Sequence, residues 1–118
     1  MIGTEHPGRG EIWLVRLGSA QPGEPGKNRP ALVIQANELG PYNDYDLVAV
    51  VPVSASRQPS PDRPAIPDAV GLDRPCVAVT RSVRGVARSR LLKKIATVDD
   101  ETLSKITFAL GRVLGVLH

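Results

Sequence analysis

At 118 residues, 42% of them hydrophobic, the chain suits one domain with its own core, in which roughly two thirds of the unfolded surface is buried. Its longest apolar run, Leu47 to Val53, is far shorter than the ~20 residues that cross a bilayer. Met1 to Gly8 lacks the basic and apolar regions of a signal peptide, and the lone Cys76 excludes both an internal disulfide and a cysteine-rich zinc site. A cytoplasmic protein with no membrane contact is expected, and a net charge of +3 with a pI near 9.4 points mildly to a polyanionic partner.

Residues 1–9 read as a flexible tail and 10–118 as a single domain. Glu11 to Leu17 is rich in β-formers and predicts a first strand. Ile12, Leu14 and Arg16 fall on one face, Trp13, Val15 and Leu17 on the other. Residues 18–28 form a Gly/Pro-rich loop. Pro30 to Gln35 is a buried strand, Glu38 to Asp46 a connection, and Leu47 to Val53 a third strand. Arg57 to Pro67 carries four prolines and should run extended along the surface, with a short strand near Ala65–Ile66. Pro75 to Val79 is a further strand. Arg90 to Ala96 fits strand or helix by pattern; strand is favoured, because the next segment has its own helix start. There, Thr97 or Asp99 can cap a first turn that holds Asp99, Asp100 and Glu101. Leu103, Ile106, Leu110, Val113, Leu114 and Leu117 then recur at helical spacing. Strands with short turns followed by one late helix predict an α+β, mostly β fold.

Chemistry-bearing motifs are few. There is no phosphate-binding loop, no dinucleotide fingerprint and no His-Glu-x-x-His. His6 and His118 stand at the two ends of the chain, which argues against an acid–base histidine pair, and no carboxylate–histidine cluster has metal-ligand spacing. No metal or other cofactor is expected. Arginine, hydroxyl and carboxylate groups remain.

Glu24, Lys27 and Arg29 lie in or just after the Gly/Pro-rich loop, directly before a buried strand. Pro30 restricts Arg29 to extended backbone. Ser54 and Ser56 follow another buried strand. If those strands are neighbours, an arginine and a hydroxyl converge at one end of the sheet. That pair suits phosphodiester transesterification in RNA, where the substrate's 2′-OH is the nucleophile and a guanidinium fork matches the phosphorane. Arg-Pro before a strand and serines at a loop end also occur as plain structural features.

From Arg74 to Val98 stand seven basic residues and no acidic one. They form either a solvated basic face or a stripe for a phosphate backbone or an acidic peptide. Tyr42 and Tyr45 are candidates for base stacking, or turn and packing residues.

Five segments together resemble the MazF/PemK family of type II toxins: Arg9-Gly-Glu-Ile-Trp13, Gly26 to Gln35, Val50-Val-Pro-Val-Ser54, Leu72 to Val79, and Leu91 to Leu117. The resemblance implies an SH3-like small barrel with a C-terminal α-helix, assembled as a homodimer. It implies metal-independent, sequence-selective cleavage of single-stranded RNA, and inhibition by an antitoxin with an acidic, disordered tail. Carried over by motif, Arg29 is the main catalytic group, as acid or phosphorane stabiliser. Ser54, where the family more often has threonine, is its hydroxyl partner, and Glu24 is a base or loop organiser. Lys27, Asn28, Ser56, Arg57, Arg81, Arg84 and Arg88 are the candidate RNA contacts. Where the family often has Glu-Gln-Ile-Arg after its fifth strand, this chain has Arg81-Ser82-Val83-Arg84, which keeps the arginine and replaces the Glu-Gln pair.

Two other readings share the fold. One is a non-catalytic toxin that poisons an enzyme such as gyrase, as the CcdB toxins do through a C-terminal Trp-Gly-Ile; this chain ends Gly115-Val-Leu-His118. The other is a catalytically decayed module that binds RNA or antitoxin, against which the retained Arg29 and Ser54 speak.

Overall fold

The computed structural model describes residues 6–17, 27–67 and 71–117. Seven strands appear in chain order: β1 (Glu11–Leu17), β2 (Lys27–Val33), β3 (Leu47–Ser54), β4 (Ala65–Ile66), β5 (Cys76–Ala78), β6 (Arg84–Ala87) and β7 (Leu91–Thr97). One helix, α1 (Asp100–Val113), follows. The strands form an antiparallel sheet in the order β4-β5-β3-β2-β1-β7, with β6 also pairing to β3. Leu47 to Val50 of β3 pair with β6, and Val53 and Ser54 pair with β5. This double use of β3 curls the sheet into a half-barrel. No helix among the described residues is long and apolar enough to cross a membrane.

The alternation of β1 is visible in two cores, one on each face. Ile12, Leu32, Val51 and Val53 pack with Ile106 and Leu110 of α1. Trp13, Val15, Ala31, Val33, Val48 and Val50 form the other core, with Leu17 against it. A fully buried Ile or Val contributes roughly 1.5–3 kcal/mol relative to exposure, so both faces resist a register slip.

Asp99 is the residue that caps α1: its Oδ1 accepts the Thr102 N–H at 2.8 Å. The helix stops at Val113, short of the end of the leucine spacing. Gly115, at φ 77°, lets the chain turn back, and its N–H reaches the Arg112 carbonyl while that of Val116 reaches Gly111. This is a Schellman closure. Leu117 then lies against Gly111, where a Cβ would stand 2.5 Å from its Cδ1.

Three other boundaries depart from the sequence reading. β2 starts at Lys27, because Leu17 pairs with Lys27 and Arg16 with Asn28; the loop therefore ends before Asn28. β6 was not expected. Its four residues include Gly85, and only pairing with β3 makes them a strand. The tract at 57–67 is extended as expected, but it is also closed on itself by the Ser60–Arg63 bridge.

Candidate active site

β2 and β3 are neighbours, with Ala31 opposite Pro52 and Leu32 opposite Val51. Continuing that register by two residues sets Arg29 against Ser54. Both share the face of the Trp13 core, since Arg29 precedes Ala31 by two and Ser54 follows Val50 by four. Pro30 lies just beyond the last β2–β3 pair, where its missing N–H costs no ladder bond.

The two side chains line one open depression of about 510 Å³. Leu17, Pro30, Pro52, Val53, Cys76 and Val79 give it apolar walls, and Ser56, Arg57 and Ser82 complete its polar rim. Two cations and no carboxylate line it among the described residues, so it suits an anion. The Ser54 hydroxyl accepts the Ser56 N–H at 3.2 Å and lies 3.2 Å from the Ser56 hydroxyl. This fixes Ser54 Oγ while leaving hydrogen-bonding capacity toward the depression.

The other sequence candidates divide into groups. Ser56 and Arg57 are brought to Arg29 and Ser54. Lys27 and Asn28 are exposed at the start of β2, against Leu17 and Arg16 of β1. Arg84 is exposed opposite Val50 on β6. Arg81 is placed elsewhere: its Nε bonds Asp62 Oδ2 at 2.7 Å, and it lines a separate groove with Phe108, Arg112 and Val113 of α1. Arg88 lies over Trp13 and donates to the Leu91 carbonyl at 2.9 Å. Glu24 lies outside the described residues.

Ser82 was missed. Its neighbour Arg81 drew attention by charge, yet the two belong to one 3₁₀ turn, Thr80–Ser82, in which successive side chains diverge by about 120°. One faces α1 and the other the depression. No pattern in the sequence marks that turn.

The basic run resolves into separate jobs. Arg90 donates to the Arg16 carbonyl at 3.1 Å, and Lys94 pairs with Glu11 at 3.2 Å. With Arg81 and Arg88, four of the seven cations are engaged by groups of the fold itself. Glu11 also accepts from the Gly8 N–H at 2.8 Å and from the Trp13 indole at 3.0 Å. Burial acts to raise its pKa, but the donors from Gly8, Trp13 and Lys94 outweigh it and hold the carboxyl below its usual range. Tyr42 and Tyr45 are exposed on the β2–β3 connection, and Tyr42 donates its hydroxyl to the Glu38 carbonyl.

A family model described as the PemK-like, MazF-like toxin of type II toxin-antitoxin system matches residues 8–114. The endoribonuclease EndoA of Bacillus subtilis is 31% identical over 112 residues, covering 92% of this chain and 95% of its own. The endoribonuclease MazF9 of Mycobacterium tuberculosis is 32% identical over 107 residues, covering 86% and 91%. Among solved structures, MazE-MazF (Form-II) from Deinococcus radiodurans matches with a TM-score of 0.76 at 25% identity, over 92% of this chain and 96% of that one. With that model spanning most of the sequence and two relatives above 30% identity, the chain belongs to the PemK-like, MazF-like toxins of type II toxin–antitoxin systems.

Proposed function

We propose that this toxin is a metal-independent endoribonuclease that cuts single-stranded RNA by attack of the substrate's own 2′-OH. The observation that supports it most is the meeting of Arg29 and Ser54 in one depression that also holds Arg57 and, among its described residues, no carboxylate. The relatives named endoribonucleases give independent support.

The 2′-oxygen forms a bond to phosphorus as the bond to the 5′-oxygen breaks. The products are a 2′,3′-cyclic phosphate and a 5′-OH, the leaving 5′-oxygen taking its proton from solvent. Negative charge gathers on the non-bridging oxygens of the phosphorane. Arg29 offers a planar fork of N–H donors to those oxygens, and its guanidinium acts as a charge clamp. The Ser54 hydroxyl, oriented through Ser56, donates a further hydrogen bond. Glu24 takes the 2′-OH proton in this scheme. Apolar walls at Leu17, Pro52 and Val79 lower the local dielectric on one side of the clamped phosphate, which strengthens each electrostatic contact. Lys27, Asn28, Ser56, Arg57 and Arg84 carry the flanking nucleotides.

The partners of this activity are an antitoxin with an acidic tail and a second copy of the chain. The Deinococcus relative is a MazE-MazF complex. Phe108, Leu114, Val116 and Leu117, exposed together around the end of α1, offer apolar surface for such association. The site of action is the cytoplasm.

The test is incubation of the purified protein with a mixed single-stranded RNA pool in EDTA, with a DNA copy alongside. Expected are RNA fragments ending in cyclic or 3′-phosphate and no cutting of DNA, which lacks the 2′-OH. Cutting of the DNA copy, or loss of all cutting in EDTA, overturns the mechanism.

A further inference from the structure

Two short segments face each other across the Arg29–Ser54 depression. One is the arm leaving β3, Ser54 to Arg57. The other is the stretch Val79 to Ser82, which contributes Val79 and Ser82. Asp62 bridges them. Its main-chain carbonyl accepts the Thr80 hydroxyl, its Oδ1 accepts the Ser60 hydroxyl at 2.7 Å, and its Oδ2 pairs with Arg81 at 2.7 Å. The hairpin carrying Asp62 is rigid in its own right: Ser60 and Arg63 exchange main-chain bonds of 3.1 and 2.9 Å, and Arg63 Nε donates to the Gln58 carbonyl at 2.9 Å. The bond from Arg63 thus ties this hairpin to Gln58, the residue that follows Arg57.

Thr80 is the telling residue. It is fully buried, at 0% exposure. A buried hydroxyl costs free energy unless it is bonded, and valine would fill the same space without that cost. The neighbouring Asp62–Arg81 pair is open to water on the arginine side, where an ion pair contributes little. The roots of the two segments are held by main chain, with Ser54 opposite Val77 and the Val79 N–H on the Pro52 carbonyl at 2.8 Å. Beyond Val79, the buried Thr80 bond fixes the turn to the Asp62 hairpin.

We propose that Thr80 and the Asp62 hairpin form a clasp that sets the separation of Ser54–Arg57 from Ser82, making Thr80 a positioning residue for RNA cleavage. This rests on the reading of the depression as the cleavage site. Misplacing a clamp by about 1 Å costs on the order of a hundredfold in rate, so a small opening registers in kcat.

The experiment compares Thr80→Val, Thr80→Ser and wild type in the full chain. Cleavage is measured at saturating and limiting RNA, with the folded fraction read by circular dichroism. Thr80→Val should lower kcat at least about tenfold while KM stays within about twofold, and Thr80→Ser should restore the rate. Amide exchange should quicken at Ser56, which bonds Ser54 Oγ, and at Ser82. If Thr80→Val fails to fold, Thr80→Ala removes the same hydroxyl without adding a methyl group, with a kcat loss of about tenfold expected by the same argument. Unchanged kcat in the folded variant, or a loss that merely follows the folded fraction, overturns the clasp alone. A wild-type chain that cuts no RNA overturns the reading of the site and the clasp with it.

Discussion

The guanidinium of Arg88 lies over the indole ring of Trp13, 5.1 Å from its centroid. Trp13 in turn donates to Glu11, and Glu11 pairs with Lys94. One face of the half-barrel is thus closed by a chain of cation, ring, carboxylate and cation. Such a cation–π contact is worth about 0.5–2 kcal/mol, depending on desolvation. Arg88→Ala should lower stability by roughly that amount in urea titrations. It should leave the salt dependence of RNA binding unchanged. A slope reduced by about 0.7 would mark Arg88 as a phosphate contact instead.

Arg29→Ala should cut the cleavage rate by on the order of 10²–10³-fold, the usual loss of a transition-state donor. Arg29→Lys should not restore it, because an ammonium lacks the planar fork. Ser54→Thr should be tolerated and Ser54→Ala should be slower. Initial rates on a defined RNA, with melting curves to verify folding, decide this; full activity in Arg29→Ala refutes the assignment.

The acid limb of stability should report on Glu11. Its folded pKa is depressed, with burial opposing the net effect and the Gly8, Trp13 and Lys94 donors driving it. A depressed carboxyl contributes stability above its unfolded pKa, about 4.3 for glutamate, and loses it as pH falls through the folded value. Glu11→Gln should therefore be less stable than wild type at pH 7, and the gap should close at strongly acid pH. Urea midpoints across that range test it; a gap that is constant with pH contradicts the linkage.

Gly71 is exposed, yet it should not accept alanine. Its φ is 101°, and a Cβ there would stand 2.0 Å from the Ile95 carbonyl oxygen. The left-handed backbone and the clash with main chain together should cost more than about 2 kcal/mol. A melting temperature equal to wild type in Gly71→Ala contradicts this packing of the 71 turn on β7.

Phe108 is 54% exposed beside Leu117 at the end of α1. If the chain pairs with a second copy through this surface, as proposed, Phe108→Asp should lower the sedimentation coefficient to that of a monomer without lowering its helical signal. A dimer of unchanged affinity would place the subunit contact elsewhere.

Elements with strong local signals were legible from residues alone. The alternation in Glu11–Leu17 separated Ile12 from Trp13, Val15 and Leu17, which enter opposite cores, though Leu14 is only half-buried and Arg16 exposed. Acidic residues after Thr97 and the leucine spacing located α1, and the structure chose Asp99 as its cap. β6 was hidden, because Arg84–Ala87 has no pattern of its own and becomes a strand only against Val48 and Val50. The basic run from Arg74 to Val98 was ambiguous for a related reason. Charge is a property of sequence, but pairing with Glu11, Asp62 and Trp13 depends on which distant elements come together.

The sequence by itself determined that a hydroxyl and an arginine follow and precede buried strands, with no histidine pair to compete. It could not determine that those strands are adjacent, since strand order is settled by non-local pairing. Only the tertiary structure joined Arg29 to Ser54, sent Arg81 toward α1 and Ser82 into the depression, and buried Thr80 against the Asp62 carbonyl. Each of these depends on where a turn points its side chains once the sheet has curled, and that direction is set by packing rather than by residue type.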